Sequence, residues 1–544
     1  MLRMTFKFVA ALIGFAILQM SAFSQTNATS ANPCPRFAAG STVHNPPSLF
    51  SKNGLLTVNL SYNTTSDADG RTLYCFATAD GKESPTLHVQ PGDTVIVNVK
   101  NNVPAGVSAM DMHMQTNAPG ACGPATMMDS SSVNVHYHGT NLPPVCHQDE
   151  VITTIIDSGE SYQYRLHFPK DETPGLYWYH PHIHGMAEAA VQGGASGAIV
   201  VEGIENLQPA VSNLRERVLT IRDQNVTGNP IPSGNIPSWD LTLNYIPIAY
   251  PEFTPAVIHM QDDEKQLWRV LNASADALAD LQVVYDGVPQ VLEVVALDGV
   301  PTGSQDGTRR GKTVRATHIF IPTAGRAEFI VSAPSRRVST AVFRTLGVDT
   351  GPDGDNDTQR TLATIQTDPI PDDGDVIPVR SAAAELQRFE GLETATPSKH
   401  RRLYFSEVLS DPTNPLSPTN FYITVEGATP TLFSVDNPPA IVTTQGSVED
   451  WTIENRTGEV HEFHIHQIHF LLLAKNGVPV VQEQKQFLDT VQVPYWSGKG
   501  PYPSVTVRMD FRGADVGDFV YHCHILGHED NGMMAVIRVL PNSH

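Results

Sequence analysis

The feature that most constrains this chain of 544 residues is a pattern of paired histidines that occurs twice in each of two regions. Residues 175–183 and 517–525 both read Gly-x-aromatic-x-Tyr-His-x-His-Ile, and each follows an earlier His-x-His pair. In a β-strand, residues i and i+2 point to the same face, so each pair presents two imidazoles side by side. The repeat therefore predicts two copies of one β domain, and each copy contributes two histidine pairs to a common site.

The sequence around these pairs favours an all-β fold. Short runs rich in Val, Thr and Tyr are broken by Gly, Pro, Asn and Asp, which is typical of strands joined by turns. A chain of this length exceeds one ordinary core. We therefore predict three domains: residues 40–205 and 395–544, which carry the histidine pairs, and residues 206–380 between them, which carry no metal ligands.

Residues 1–24 have the layout of a secretory signal peptide. Arg3 and Lys7 give a positive start, residues 8–20 form a short apolar run, and residues 22–24 offer small side chains for cleavage. The run is short for a bilayer span and no second candidate follows it. We expect an exported protein, periplasmic or secreted, with a membrane anchor as the alternative.

The formal charge of −22 at pH 7 argues against anionic partners. A surface of this sign repels nucleic acid and anionic membranes. Neutral or cationic small substrates suit it, although solubility alone would also account for the charge.

The chain has five cysteines, of which one lies among the histidines. An oxidising compartment would pair the other four, and three connectivities are open to Cys34, Cys75, Cys122 and Cys146. We favour a bond between Cys122 and Cys146, because it would close the loop around the first histidine pair.

The four histidine pairs favour copper as the bound metal. Eight imidazoles are more than a zinc site needs, and they differ from the oxygen ligands that calcium and magnesium prefer. Neutral nitrogen ligands in this number suit copper. The eight are His136, His138, His180, His182, His464, His466, His522 and His524.

A cysteine lies between the last two of these histidines and therefore faces the other side of the same strand. It completes a set of two histidines, one thiolate and a weak axial thioether, which is the ligand set of a blue-copper electron-transfer site. The members are His461, Cys523, His528 and Met533. A thiolate joined to a cluster of imidazoles suits the uptake of single electrons and the reduction of O2, which needs four.

Together these segments resemble the four copper motifs of the multicopper oxidases, in order and across nearly the whole chain. They are His136-Tyr-His-Gly139, His180-Pro-His182, His461-Glu-Phe-His-Ile-His466 and His522-Cys-His-Ile-Leu-Gly-His528-Glu-Asp-Asn-Gly-Met533. In the middle region, residues 268–273 and 321–326 are also similar to segments of this family. The resemblance implies three cupredoxin-like β-sandwich domains of the Greek-key type, with a three-copper cluster between the first and the third.

Carried over position by position, the resemblance implies four coppers per chain. His461, Cys523 and His528, with Met533 as axial ligand, would hold the type 1 copper. The type 2 copper would be held by His136 and His464. The type 3 pair would be held by His138, His180, His182, His466, His522 and His524.

Reduction of O2 to water consumes protons, so acids beside the cluster are expected. Glu529 matches a family position that delivers protons, and Asp149 is the second candidate, although its spacing from His138 is two residues longer than in the family. Both could instead only accept hydrogen bonds from ligand histidines. Glu462 stands where many members have proline, and we expect it to change the polarity near the type 1 copper.

Three hypotheses on the activity stay open. The leading one is a laccase-like oxidase that oxidises phenols or aromatic amines with O2 as acceptor. The second is a cuprous oxidase that serves copper tolerance, and the third is a copper-binding electron-transfer protein without turnover, against which the complete histidine set argues. Thioethers prefer Cu(I), so one methionine-rich loop bears on the second hypothesis, although we favour the alternative that it is a packed apolar segment. Its methionines are Met110, Met112, Met114, Met127 and Met128.

Overall fold

The computed structural model describes residues 32–105, 122, 129–304, 311–368, 376–383, 388–414 and 416–542. Strands dominate these residues, and the alternation of apolar side chains shows why. Along the strand Leu55–Ser66, the side chains of Leu56, Val58, Leu60 and Tyr62 are buried, while the residues between them are exposed or half-buried. This period of two gives each sheet one apolar face. The predicted all-β class is confirmed.

The first of three β-sandwiches lies in residues 48–201. Its elements are β1 (Ser48–Phe50), β2 (Leu55–Ser66), β3 (Thr72–Thr78), β4 (Thr86–Val89), β5 (Thr94–Asn101), β6 (His136–His138), β7 (Ser161–His167), β8 (Gly175–His180), α1 (Ala187–Gln192) and β9 (Gly197–Val201). A sheet ordered β1-β4-β9-β8-β6 and a sheet ordered β3-β2-β5-β7 enclose one core. Strand β6 lies at the edge of its sheet, next to β8.

The second sandwich lies in residues 215–378. Its strands are β10 (Arg215–Asn225), β11 (Trp239–Leu243), β12 (Ile246–Ile248), β13 (Ala256–Gln261), β14 (Lys265–Asn272), β15 (Ala279–Tyr285), β16 (Val288–Pro289), β17 (Leu292–Leu297), β18 (Val300–Pro301), β19 (Val314–Ala316), β20 (Ile319–Ile321), β21 (Arg326–Ser332), β22 (Ala341–Leu346), β23 (Arg360–Asp368) and β24 (Ile377–Pro378). The sheet built on β12-β11-β10-β14-β21-β17-β18 packs against the sheet built on β13-β23-β22-β15-β16.

The third sandwich lies in residues 399–540. Its elements are β25 (Lys399–Leu409), β26 (Thr419–Val425), β27 (Ile441–Thr444), β28 (Val448–Asn455), β29 (His461–Ile465), β30 (Phe470–Lys475), β31 (Val478–Pro479), β32 (Phe487–Leu488), β33 (Thr490–Val493), β34 (Ser504–Asp510), β35 (Gly517–Cys523), α2 (Leu526–Asp530) and β36 (Met534–Leu540). The sheet β27-β36-β35-β29-β33 packs against the sheet β26-β25-β28-β34-β30-β31. Short 3₁₀ turns lie at Ile204–Asn206, Pro209–Val211 and Gln482–Gln484.

The described residues from 33 onward form one compact unit that contains all three sandwiches. The bounds that we assigned to the three domains from the sequence stay a prediction. Among the described residues, none of the helices is both long and apolar enough to cross a membrane. The expected signal peptide and the five methionines of the loop before His136 lie outside the described residues.

Two disulfide bonds join the four cysteines that do not lie among the histidines. Cys122 is bonded to Cys146, as we expected, and Cys34 is bonded to Cys75. Cys523 is free and buried. The pairing leaves this thiol available for another chemistry.

Candidate metal centres

The strands that carry the histidine pairs face one another in two antiparallel pairs. In the first sandwich, β6 pairs with β8, and His136 lies opposite His180. In the third sandwich, β29 pairs with β35, and His464 lies opposite His522. The alternation of a strand then directs each His-x-His pair to one face. All eight imidazoles are at most 2% exposed, so they form one buried set, which we call the histidine cluster.

Within the histidine cluster, side chains of the first and third sandwiches alternate in three groups whose ligand atoms lie within 4.8 Å of one another. One group contains His138, His180 and His524. A second contains His182, His466 and His522, whose ring nitrogens approach to 3.2 and 3.4 Å. The third contains His136 and His464 together with His138. The family resemblance assigns the first two groups to the type 3 pair and His136 with His464 to type 2, and this assignment stays a prediction.

The hydrogen bonds around the histidine cluster determine which ring nitrogen is free. The Nδ1–H of His464 donates to the carbonyl of Asp489 at 2.8 Å, and that of His180 donates to the carbonyl of Pro181 at 2.9 Å. In His138 the pattern is reversed, because its Nε2–H donates to the Asp489 carboxylate at 3.2 Å. Such acceptors hold the ring and its tautomer so that the other nitrogen presents a lone pair.

Those other nitrogens have no hydrogen-bond partner among the described residues. They are Nε2 of His136, His180, His464 and His524, and Nδ1 of His138 and His466. A buried polar atom left unpaired costs about 1–3 kcal/mol, so six of them in one place point to a ligand that uses their lone pairs. Burial lowers the pKa of His136 to about 3 and that of His182 to about 4, which keeps the rings neutral. Neutral nitrogen donors in this number fit copper.

On the opposite face of β35, Cys523, His461 and His528 form a second site, which we call the electron-uptake site. The Nδ1 atoms of the two histidines lie 3.0 Å apart, and each lies 3.7 Å from the Cys523 sulfur. Met533 is fully buried in the same core as Cys523, and Phe421 stacks on the ring of His528. The far nitrogen of His461 is bonded to the Thr457 hydroxyl at 2.9 Å. A His2Cys set with a nearby thioether fits a blue copper.

The two sites are joined through adjacent residues of one strand and the turn that follows it. Cys523 belongs to the electron-uptake site, while His522 and His524 belong to different groups of the histidine cluster. Alternation along β35 places the thiol on one side and the two imidazoles on the other. An electron therefore needs to cross only one residue of chain to pass between the sites.

Both acids expected from the sequence lie against the histidine cluster. Glu529 is buried in α2, with one carboxylate oxygen 3.0 Å from Nδ1 of His522 and the other 3.7 Å from Nε2 of His182. Asp149 accepts hydrogen bonds from Nδ1 of His136 at 3.0 Å and from Gln467 at 2.7 Å. Burial alone would raise the pKa of Glu529, but the neighbouring histidines lower it. Burial raises the pKa of Asp149 to about 7. Their role in proton supply stays a prediction.

Asp489 is a residue of the site that we did not single out from the sequence. It lies between β32 and β33, is fully buried, and contacts both His138 and His464. Its carboxylate forms a two-fold ion pair with Arg326 of the second sandwich, at 2.9 and 2.5 Å. Gly139, the residue after His138, has a φ of +82°, and a Cβ there would collide with Arg326 and Asp489. Asp489 thus ties all three sandwiches to one face of the histidine cluster.

The expected influence of the Glu462 side chain on the electron-uptake site is electrostatic and does not involve contact: burial raises the pKa of Cys523, and the charge of Glu462 adds to that shift. Strand alternation directs the carboxylate away from the electron-uptake site and toward the second sandwich, where it accepts hydrogen bonds from the backbone N–H and the hydroxyl of Thr323. The Thr323 hydroxyl also contacts the carbonyl of His524 at 2.5 Å. Glu462 therefore supports the histidine cluster with its side chain, and only its backbone reaches Cys523.

Comparisons with known proteins agree with this geometry. Residues 126–206 and 411–543 match two family models that are both described as multicopper oxidase. The rice protein "Multicopper oxidase LPR1 homolog 5" is 24% identical over 528 residues, which covers 84% of this chain and 74% of the relative. The bilirubin oxidase of Albifimbria verrucaria is 23% identical and covers 75% of this chain and 68% of its own.

Solved structures that share the fold are also multicopper oxidases. The solved structure titled "Multicopper oxidase from Campylobacter jejuni: a metallo-oxidase" superimposes with a TM-score of 0.66 at 21% identity, over 93% of this chain and 96% of that one. The three sandwiches are therefore cupredoxin-like domains. The two matched segments are multicopper oxidase domains, and the relatives and structural neighbours of the chain are multicopper oxidases, which are oxidoreductases that use copper.

Proposed function

We propose that the chain is an exported oxidase with four coppers, which takes single electrons from phenols or aromatic amines and reduces O2 to water. The observation that carries this proposal is the adjacency of the two sites, in which Cys523 of the electron-uptake site lies between two residues of the histidine cluster. When bound, copper supplies the one-electron chemistry. An electron-transfer protein without turnover would have no need of the eight additional imidazoles.

The proposed copper ligands follow the three groups and the electron-uptake site. His461, Cys523, His528 and Met533 would hold type 1, His136 and His464 type 2, and the other six imidazoles the type 3 pair. Export rests on the features of residues 1–24. The two disulfide bonds are consistent with export, since such bonds persist in oxidising compartments.

A narrow cavity lies next to His182, on the route by which we propose that O2 reaches the histidine cluster. Its lining is mainly apolar and includes Val151, Phe433, Val520 and Met534. An uncharged, apolar molecule such as O2 is suited to such a lining, whereas ions are not. Glu529 lies 3.7 Å from the same histidine, which places a carboxylate where O2 reduction would consume protons.

The proposal predicts the metal content and the activity of the purified protein. After copper loading, we expect about four copper ions per chain, a blue colour and O2 uptake with a simple phenol. His464→Ala should lose copper and O2 uptake, because it removes a buried ligand. His318→Ala is the matched control, since His318 is an exposed histidine of the second sandwich with a side chain that is 55% exposed. Metal analysis measures the copper content, and an O2 electrode measures O2 uptake. Zinc as the only tightly held metal would contradict the proposal.

A second candidate, the oxidation of a metal ion such as Cu(I), is favoured by acids around His528. Its Nε2 lies 3.5 Å from a carboxylate oxygen of Glu459, and Glu407, Asp355 and Glu188 add negative potential. These acids come from all three sandwiches. Burial raises the pKa of Glu407 to about 8, and the neighbouring Glu459 adds to this shift. Burial also raises the pKa of Glu459 to about 7, although a hydrogen bond with Glu407 lowers it in part. A bound cation would relieve this concentration of acids.

The double variant Glu407→Gln/Glu459→Gln separates the two substrate classes. If a metal ion is the reductant, its apparent affinity should fall about tenfold, because the variant removes the two carboxyl groups near His528 that would ionise when a cation binds. Oxidation of a neutral phenol should stay near its original rate. Asp518→Asn is the matched control, because this acid lies near the other end of β35 and pairs with Arg538 at the surface. O2 uptake with Cu(I) and with the phenol measures the difference, and equal losses with both would reject the metal-ion hypothesis.

A further inference from the structure

A backbone hydrogen bond reaches the sulfur of the electron-uptake site. The N–H of Glu462 in β29 donates to Sγ of Cys523 at an N–S distance of 3.3 Å, and both residues are fully buried. The register of the sheet causes this contact, since Phe463 lies opposite Cys523 and the preceding residue is thereby brought beside the thiol. Water is excluded from the contact, so the N–H dipole acts on the sulfur with little screening.

The N–H of Glu462 is not needed for the sheet. The carbonyl of Glu462 accepts a hydrogen bond from the N–H of His524 at 3.0 Å, so the backbone of this residue faces β35. In an antiparallel strand the N–H and C=O of one residue point to the same neighbour, so Glu462 makes no ladder bond to β33. Its N–H is therefore free to serve the sulfur alone.

We propose that the Glu462 N–H raises the reduction potential of the type 1 copper and so extends oxidation to weaker reductants. The inference rests on the proposed function, in which Cys523 holds that copper. The positive end of an N–H dipole favours the form of the site that holds one more electron. Hydrogen bonding around the cysteine sulfur is a recognised determinant of potential in such sites. Proline, which many family members have at this position, has no N–H and makes no such bond.

The backbone N–H and the carboxylate of Glu462 influence Cys523 in opposite directions, because the N–H stabilises the thiolate and the negative charge opposes it, so their effects can be separated. The carboxylate is bonded to Thr323 on the face of the histidine cluster, whereas the N–H points to Cys523. Glu462→Gln keeps the N–H and changes only the charge of the side chain. Glu462→Pro removes the N–H, and the strand tolerates it because His461 is extended, as a residue before proline must be.

The experiment is an anaerobic redox titration of the blue absorption in the copper-loaded wild type and both variants. We expect Glu462→Pro to stay blue and to lower the equilibrium constant for reduction by a given donor about tenfold, which is about 59 mV for one electron. Glu462→Gln keeps the N–H and removes the negative charge, so its potential should stay at or above that of the wild type. In the proline variant, the rate of oxidation should fall more for weakly reducing phenols than for strong reductants.

An unchanged potential in a blue Glu462→Pro protein, or an equal fall in Glu462→Gln, would overturn the inference. A wild type that is not blue would instead refute the proposed function. If Glu462→Pro fails to fold, replacement of Glu462 by its α-hydroxy acid removes the same N–H and keeps the side chain. That protein must show the lowered potential, and an unchanged value there rejects the inference.

Discussion

Replacement of Cys523 by serine is expected to abolish the blue colour and to reduce the oxidation of every reductant to the background rate. The thiolate is the sulfur ligand of the electron-uptake site, and its neighbours His522 and His524 belong to the histidine cluster. A hydroxyl is a poor copper ligand, so both the metal site and the shortest path to the cluster are lost. The eight imidazoles are unchanged and should still bind about three coppers. Absorption spectroscopy, metal analysis and O2 uptake measure these three properties.

Met533→Leu provides the comparison for this variant. Met533→Leu removes the thioether from the core that also contains Cys523, with little change in volume. The thiolate is kept, so the protein should stay blue. A weak axial ligand tunes the potential of such a site without creating it. Full turnover in Cys523→Ser would show that electrons reach the cluster by another route.

Glu529→Gln should slow the reduction of O2 by about 10²-fold or more, which is the usual contribution of a positioned acid–base group that accepts protons and passes them on. The glutamine preserves the shape and removes the ionisable group that lies 3.0 Å from His522. Reduction of the electron-uptake site by substrate without O2 should change little, because Glu529 does not contact Cys523 or His461. Stopped-flow measurements of the two half-reactions separate these steps.

Asp530→Asn is the matched control, because this neighbouring acid points away from the cluster. Its carboxylate accepts the backbone N–H groups of Ala187 and Glu188 at the start of α1, and an amide oxygen can replace one of these contacts. The variant should keep the rate of O2 reduction. Equal slowing of both half-reactions in Glu529→Gln would show that this residue acts on the electron-uptake site through His528.

The site could be predicted from the sequence to the extent that it depends on strand alternation. Ligands two residues apart must share a face, and a cysteine between them must take the other face, whatever the rest of the chain does. The repeat at residues 175–183 and 517–525 therefore predicted both the paired histidines and the separate environment of Cys523. The pairing of Cys122 with Cys146 followed only as a preference, since spacing alone does not choose between connectivities.

Tertiary structure decided which elements meet at the cluster and which way the residues beside the ligands face. Asp489 carries no local signal of a metal site, and the family-like segment 321–326 does not reveal that Thr323 and Arg326 support the cluster, because these contacts cross between sandwiches that lie far apart in the chain. The acids around His528 also come from different sandwiches and carry no local signal. Glu462 shows most directly what the sequence leaves open. Its identity was visible as a departure from the family pattern, but only the structure shows that its carboxylate points to Thr323 and its N–H to Cys523. The sequence by itself determined the ligand types and their sidedness, because these depend on the period of a strand. The hydrogen bonds that orient the ligands depended on sheet register and domain packing, which local spacing does not encode.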